Sequence, residues 1–200
     1  MTAAASWQRD LSRAITDPAQ LLTELDLDPA LAAPARAAST TFALRVTRSY
    51  LARMRRGDAN DPLLRQVLPR AEELIESPGW GSDPLEEHAA TRAPNLLQKY
   101  AGRALLITTQ ACAIHCRYCF RREFPYSAQQ EPDDSAGRWG AALEAIANDT
   151  SLEEVILSGG DPLSLSDARL AQITDALAGM RHVQRIRVHT RQPIVLPTRV

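Results

Sequence analysis

The sequence A-C-A-I-H-C-R-Y-C-F-R-R, residues 111–122, contains all three cysteines of this 200-residue chain. Cys112, Cys116 and Cys119 follow the spacing C-x3-C-x2-C, which allows three thiols to converge on one point from a single tight loop. Three cysteines cannot pair completely as disulfides. Three thiolates around one centre indicate a soft metal site that leaves one coordination position open for chemistry.

Two metal centres suit this loop. A [4Fe–4S] cluster with one iron not held by the protein fits, because thiolates are the usual protein ligands of such clusters. Zinc held by the three cysteines and His115 is the alternative, although His115 directly precedes Cys116 and joint ligation is sterically awkward. A reactive thiol pair with a bystander cysteine is a third interpretation. An aromatic residue precedes the third cysteine and F-R-R follows this cysteine, and both features favour the cluster.

The pattern C-x3-C-x-aromatic-C resembles the cluster loop of radical S-adenosylmethionine (SAM) enzymes. In that family the amino and carboxylate groups of SAM bind the fourth iron, and the aromatic residue before the last cysteine lies near the adenine. The resemblance therefore implies a cluster held by Cys112, Cys116 and Cys119, with SAM beside Tyr118.

The composition sets few limits on function. Hydrophobic residues make up 44% and charged residues 24% of the chain, as in ordinary soluble domains. A net charge of −1 gives no reason to expect nucleic acid or membrane binding, and no apolar run approaches the ~20 residues of a spanning helix. With no secretory signal and with free thiols, we expect a cytoplasmic protein. Nothing in the sequence indicates an oligomeric state.

The second half of the chain predicts strands that alternate with helices. Apolar runs at 104–109, 155–158 and 186–190 predict buried parallel strands, and apolar spacing at 134–147 and from Asp167 predicts the helices between them. This order is typical of an α/β fold with a parallel sheet. In such folds ligands gather at the C-terminal ends of the strands.

Three candidate sites follow the three predicted strands. They are the cysteine loop, Gly159-Gly160-Asp161 and Arg191, and we predict that they lie at the same rim of the sheet. Glycines after a strand allow the backbone to approach a ligand closely, although an ordinary tight turn capped by Asp161 explains them as well. The segment resembles the one that binds the SAM amino group in the radical SAM family, with Ser158 and Asp161 alongside.

The first half predicts helices. Apolar residues four apart predict helices at 7–15 and 42–54, and Asp17-Pro18 predicts a capped helix start. Repeated Pro and Gly between 61 and 94 predict short helices joined by turns, for instance one over 71–76. We therefore expect a helical N-terminal extension over 1–100 and, over 101–200, the first three β/α units of an open TIM-like radical SAM barrel.

The sequence C-F-R-R-E-F-P-Y, residues 119–126, closely resembles the lysine 2,3-aminomutase branch of that family. Two guanidinium groups beside a cluster can offset its negative charge, or one of them can present a planar fork to a substrate carboxylate. By the resemblance, Arg121 would hold the carboxylate of the amino acid substrate.

A resemblance upstream concerns pyridoxal phosphate (PLP). Lys99-Tyr100-Ala101-Gly102-Arg103 is similar to the aminomutase segment beside PLP, which implies that Tyr100 and Arg103 contact this cofactor. PLP needs a lysine for its Schiff base, and Lys99 is the only lysine in the chain. Because the family's Schiff-base lysine lies well after the third strand, we expect it not to be in this chain.

Three further segments, 61–64, 78–80 and 83–85, resemble the subgroup that makes β-lysine for attachment to elongation factor P. The resemblance implies that a radical derived from SAM removes a hydrogen atom from lysine held on PLP, and that the amino group moves from the α- to the β-carbon. Since three strands are about half of the expected barrel, we predict the N-terminal part of such an enzyme, inactive alone. The alternatives are a radical SAM mutase for another amino acid and a structural zinc-binding module.

Overall fold

The computed structural model describes residues 6–79, 81–126 and 138–200. The chain divides into two compact units. The first comprises Met1–Gly81, Ala113–Arg122 and Arg191–Val200, and the second comprises Ser82–Cys112 and Glu123–Thr190. Among the described residues, no helix has both the length and the apolar character that a membrane span requires.

The elements alternate as the sequence suggests in the second half of the chain and are short in the first. In chain order the α-helices are α1 (Ser6–Ser12), α2 (Pro18–Glu24), α3 (Ala32–Ser39), α4 (Arg48–Leu51), α5 (Gly140–Asn148), α6 (Asp167–Ala178) and α7 (Gln192–Val195). The strands are β1 (Thr91–Ala93), β2 (Leu96–Tyr100), β3 (Arg103–Thr109), β4 (Glu154–Gly159) and β5 (Arg185–Val188). Single turns of 3-10 helix cover Pro29–Leu31, Leu64–Gln66, Ala71–Leu74, Pro162–Ser164 and Pro197–Arg199.

The predicted start of α2 is confirmed. The Asp17 carboxylate accepts a hydrogen bond from the backbone N–H of Ala19 at 3.3 Å, and Pro18 occupies the first helical position, where its missing N–H costs nothing. Leu21 and Leu22 of this helix are fully buried in the core of the first unit.

The helix predicted over 42–54 is wrong for most of its length. Only Arg48–Leu51 is helical, begun by Thr47, whose hydroxyl accepts a hydrogen bond from the N–H of Tyr50. Val46 instead pairs with Ile15 in an isolated antiparallel bridge, through bonds of 2.8 and 2.9 Å. Val46 and Tyr50 are both buried. The four-residue spacing of apolar residues therefore reflects burial in the core and does not indicate a continuous helix.

The second unit contains one five-stranded sheet in the order β1-β2-β3-β4-β5. The first three strands pair antiparallel, whereas β3, β4 and β5 pair parallel. Helices α5 and α6 connect the parallel strands. The predicted α/β class is confirmed, and this winding is that of the first units of an open β/α barrel.

Strands β1 and β2 correct the expectation that residues 1–100 are helical throughout. Each turn around β2 has two residues, with Asn95 at φ 62° in the first and Gly102 at φ 71° in the second. Asn and Gly tolerate positive φ, and two-residue loops of this kind favour hairpins. The helical character therefore stops before Thr91.

The two connecting helices match their predictions with shifted ends. Of the helix expected over 134–147, the described part runs over Gly140–Asn148, and residues 134–137 lie outside the described residues. Helix α6 begins after Ser166, whose hydroxyl accepts a hydrogen bond from the N–H of Arg169. The single turn at Ala71–Leu74 replaces the helix expected over 71–76.

The sheet has an apolar face and a charged face, because side chains alternate along each strand. Leu106, Val155 and Leu157 pack with Ile146 and Ile173 of the helices to form the core of the second unit. The opposite face carries Arg103 of β3, Glu154 of β4 and Arg185 and Arg187 of β5, all within one ion-pair network.

Candidate functional site

The cysteine loop is fixed to the helical part of the first unit by backbone hydrogen bonds. The N–H of His115 donates to the carbonyl of Arg45 at 3.0 Å, and that of Arg117 donates to the carbonyl of Gln66 at 2.8 Å. Within the loop, the N–H of Cys119 donates to the carbonyl of Cys116 at 3.0 Å. The residues on either side of Cys116 are thus tied down, which limits the movement of the loop.

An ion pair anchors the same loop. Nη2 of Arg117 lies 2.6 Å from Oε2 of Glu73, and Nη1 of Arg122 lies 3.0 Å from the same oxygen. The Arg117 and Glu73 side chains are only 7% and 15% exposed. Burial alone raises the pKa of Glu73, but hydrogen bonds and charge from Arg117, together with Arg122, hold the pKa below its ordinary value. The carboxylate is therefore charged at neutral pH.

The His115 ring packs on Phe42. The two rings stack with centroids 5.0 Å apart, and Nδ1 of His115 lies 2.8 Å from the carbonyl oxygen of Ala43. Burial lowers the pKa of His115, and the nearby arginine charges lower it further. These contacts explain the histidine without metal ligation.

The three cysteines are free thiols, each of intermediate exposure. Across residues 6–79, 81–126 and 138–200, no three His, Cys, Asp or Glu side chains are grouped closely enough to share a metal ion. Burial raises the pKa of the Cys116 thiol, and the charge of Arg191 only partly offsets this. The donor set fits an iron–sulfur cluster chemically, since three cysteines that form no disulfide lie within eight residues.

Arg191, predicted to follow the third strand, contacts the cysteine loop directly. Its Nη1 lies 2.6 Å from Sγ of Cys116, and its Nη2 lies 3.0 Å from Oε1 of Gln66. The hydroxyls of Tyr118 and Tyr50 donate to the same amide oxygen at 3.2 and 3.3 Å. Sequence reasoning missed Gln66 and Tyr50, because neither belongs to a motif.

The two arginines after the last cysteine differ in their surroundings. Arg122 is bound to Glu73 and lies over the ring of Phe42, at 5.4 Å from the ring centroid. Arg121 is 5% exposed, and its guanidinium lies 4.8 Å from the centroid of Phe120. Arg121 and Arg122 thus have different neighbours.

The Gly159-Gly160 pair packs against the end of β3. The N–H of Gly160 donates to the carbonyl of Thr109 at 2.6 Å. A Cβ on Gly160 would lie 2.4 Å from the carbonyl oxygen of Ala111, and one on Gly159, at φ 114°, would lie 2.6 Å from that of Thr109. The chain itself therefore requires both glycines, independently of any ligand.

Asp161 and Ser158, predicted beside the glycines, are both buried. The Asp161 carboxylate accepts hydrogen bonds from the N–H of Leu163 at 3.0 Å and from the hydroxyl of Thr190 at 2.7 Å. The capping role that the sequence allowed for Asp161 is thus present. The carbonyl of Ser158 accepts a bond from the Thr108 hydroxyl at 3.0 Å.

A pocket of about 260 Å³ lies on the charged face of the sheet. It brings together Lys99, Tyr100 and Arg103, the segment predicted to contact PLP, and adds two residues that the sequence did not single out, Arg187 and His189. Leu97, Leu105, Ile156, Ala104 and Glu87 complete its walls. A concave site with an apolar wall and several basic groups suits a small anionic ligand.

Glu154 holds the arginines beside this pocket. Its carboxylate lies 3.3 Å from Nε of Arg103, 3.0 Å from Nη1 of Arg185 and 3.2 Å from Nη2 of Arg187. Burial opposes ionisation, but the hydrogen bond from Arg185 and the charges of the three arginines hold the pKa of Glu154 below its ordinary value. Three guanidinium groups around one carboxylate leave this region positively charged.

Comparison with known proteins adds independent information. A family model described as a 4Fe-4S single cluster domain matches residues 101–190. The L-lysine 2,3-aminomutase of Escherichia coli (strain K12) is 45% identical over 195 residues, which are 97% of this chain and 56% of that protein. Those of Haemophilus influenzae and Clostridium subterminale are 41% and 36% identical, over 98% and 78% of this chain and 57% and 37% of their own lengths. The chain spans about half the length of the first two relatives.

Proposed function

This chain belongs to the lysine 2,3-aminomutase family, since its alignment with one member covers 97% of its length. We propose that it is part of an enzyme that converts L-α-lysine to β-lysine. The observation that carries this proposal is the free-thiol loop at Cys112, Cys116 and Cys119, inside a region matched by a 4Fe-4S domain. These three residues would hold the cluster. Together, the cluster and SAM supply the one-electron chemistry needed to remove a hydrogen atom from an unactivated carbon.

Residues in and around the cysteine loop bind the substrate, contact SAM and anchor the loop. Arg121 binds the substrate carboxylate, as the resemblance of residues 119–126 implies, because a guanidinium matches a carboxylate in shape. Tyr118, 61% exposed, presents a ring face on which an adenine can stack. Glu73 keeps the loop in place through Arg117.

The Gly159-Gly160 segment, with Ser158 and Asp161 alongside, binds the SAM amino group, as its resemblance to the radical SAM family implies. In support, the hydrogen bonds of Gly160 and Asp161 to Thr109 and Ala111 fix this segment against the residues that lead into the cysteine loop. The glycines therefore have a structural reason in addition to the proposed one.

The basic pocket takes the phosphate of PLP. Tyr100 and Arg103 line it, as does Lys99, and the positive charge around Glu154 favours an anion there. Excluding water from such a site protects reactive species from side reactions.

Modification of elongation factor P is the proposed destination of β-lysine, on the likeness of segments 61–64, 78–80 and 83–85 to that subgroup. The first of these also has a structural purpose, since the Asp61 carboxylate accepts hydrogen bonds from the N–H groups of Leu63 and Leu64 at 2.8 and 2.9 Å. A mutase for another amino acid is the competing function, and product analysis with lysine, glutamate and arginine separates the two.

The test of the cluster is anaerobic reconstitution followed by iron, sulfide and zinc analysis. We expect about four irons per chain, a paramagnetic signal after reduction that changes when SAM is added, and loss of iron on Cys→Ala exchange at any of the three positions. Stoichiometric zinc without iron would overturn the proposal and support a structural zinc module.

A further inference from the structure

Arg191 is in direct contact with a proposed cluster ligand, Cys116. Its Nη1 lies 2.6 Å from Sγ of Cys116. The guanidinium also lies 5.4 Å from the centroid of the Tyr118 ring, so that an aromatic face covers it. Arg191 therefore places a full positive charge and a hydrogen-bond donor on one sulfur.

The position of this guanidinium is fixed from its other side. Nη2 of Arg191 donates to Oε1 of Gln66 at 3.0 Å, and Nε2 of Gln66 donates to the carbonyl of Pro62 at 3.1 Å, which sets the orientation of the amide. The turn that carries Gln66 is held in turn by the Asp61 carboxylate. Gln66 thus has no freedom to rotate its oxygen away from Arg191 without losing the bond to Pro62.

The backbone of Arg191 is equally constrained. Its carbonyl accepts bonds from the N–H groups of Ile194 and Val195, at the start of α7. The carbonyl of Val195 accepts bonds from the hydroxyls of Thr47 and Ser49, beside and within α4. Arg191 is therefore held at both ends of its side chain by the first unit.

A charge held in this way affects the redox chemistry of a bound cluster. Reduction adds a negative charge, and both a nearby cation and a hydrogen bond to a ligand sulfur stabilise the reduced state. We propose that Arg191, through its contact with Cys116, raises the reduction potential of the cluster. This inference rests on the proposed function, in which Cys116 is a cluster ligand, and it makes Arg191 a tuning residue, not a ligand for SAM or substrate.

The experiment is a redox titration of the reconstituted chain, without SAM, followed by electron paramagnetic resonance. For Arg191→Gln we expect a roughly tenfold smaller ratio of reduced to oxidised cluster at the wild-type midpoint, which is about 59 mV for a one-electron couple. Arg191→Lys keeps the charge and should recover most of the shift. Arg36→Gln removes one positive charge from an exposed pair with Asp17 and should leave the midpoint unchanged.

The outcomes separate this inference from the proposed function. A wild-type chain that takes up no iron contradicts the proposed function itself. A normal iron content with an unchanged midpoint in Arg191→Gln contradicts only the tuning role, and a weakened affinity for SAM in that variant would assign the arginine to SAM instead. If Arg191→Gln fails to assemble a cluster, Gln66→Leu still tests the inference. This substitution keeps the charge of Arg191 but removes the bond that fixes its guanidinium. The midpoint potential should therefore fall by less than the shift expected for Arg191→Gln. An unchanged midpoint would overturn the proposal.

Discussion

Glu73 and Arg117 form a two-point ion pair, with Nη2 and Nε of the arginine 2.6 and 3.0 Å from the two carboxylate oxygens. Arg117 directly follows Cys116 and lies two residues before Cys119, so the ion pair fixes the cysteine loop between these two residues. The helical part of the first unit therefore does more than extend the chain. It holds the loop that the proposed chemistry depends on.

We expect Glu73→Gln to destabilise the first unit by about 2–3 kcal/mol, because it leaves a mostly buried guanidinium without its counter-charge. Urea unfolding followed by circular dichroism measures the change. Glu72→Gln is the matched control, since Glu72 is exposed, and should cost less than about 0.5 kcal/mol. Equal effects of the two substitutions would contradict the anchoring role of Glu73.

The same pair predicts a dependence on pH. The ordinary pKa of a glutamate is 4.5, and that of Glu73 is held lower in the folded chain. The unfolded chain therefore binds a proton first, so the stabilisation is fully present above about pH 4.5 and is lost as the pH falls through the lowered pKa. The difference in unfolding free energy between wild type and Glu73→Gln should shrink between pH 6 and pH 3, roughly. A difference that stays constant over this range would refute the assignment.

The parts of the fold that the sequence predicted are those with a local signal. The runs that form β3, β4 and β5 are short and contiguous, and Asp17-Pro18 caps α2 from within its own turn. Strands β1 and β2 were missed because they exist by pairing, β1 with β2 and β2 with β3, through two-residue turns. Propensity carries little information about such pairing.

In the candidate site, too, the features with a local sequence signal were predicted and those that depend on distant contacts were not. The cysteine spacing is local and identified the loop, but its supports come from distant parts of the chain. Glu73 lies 44 residues before Arg117, and Arg191 lies 75 residues after Cys116. Their contacts depend on how the first unit folds, and no spacing rule encodes them. Gly160 is an intermediate case. A glycine after a strand predicted that the backbone approaches another group closely, but this group is the carbonyl of Ala111 in the chain itself.

Gly160→Ala should destabilise the second unit by about 1–3 kcal/mol or more, because the new Cβ would lie 2.4 Å from the carbonyl oxygen of Ala111. Thermal unfolding without cofactors measures this cost separately from any loss of SAM binding. Gly179→Ala is the control. Its Cβ would lie 3.5 Å from the nearest backbone oxygen, an ordinary contact, so its stability should be unchanged or slightly higher. A wild-type melting temperature for Gly160→Ala would show that the contact with Ala111 is absent in solution.

The single lysine of the chain allows a direct test of the basic pocket. Lys99 and Arg103 line the same pocket, so a pyridoxal compound whose phosphate binds Arg103 should condense with Lys99, and borohydride should reduce the resulting imine to a stable adduct. We expect PLP to label Lys99 about tenfold more efficiently than pyridoxal, which lacks the phosphate, and Arg103→Gln to remove this advantage. Peptide mapping by mass spectrometry measures the labelled fraction.

Arg185→Gln is the matched control for that experiment. Arg185 also pairs with Glu154, but it does not line the pocket, so its loss should leave the preference for PLP largely intact. Arg103 differs because it both contacts Glu154 and lines the pocket. If PLP and pyridoxal label Lys99 equally in the wild type, the pocket does not recognise a phosphate. If Arg185→Gln and Arg103→Gln weaken labelling equally, general positive charge, and not a placed guanidinium, attracts the ligand.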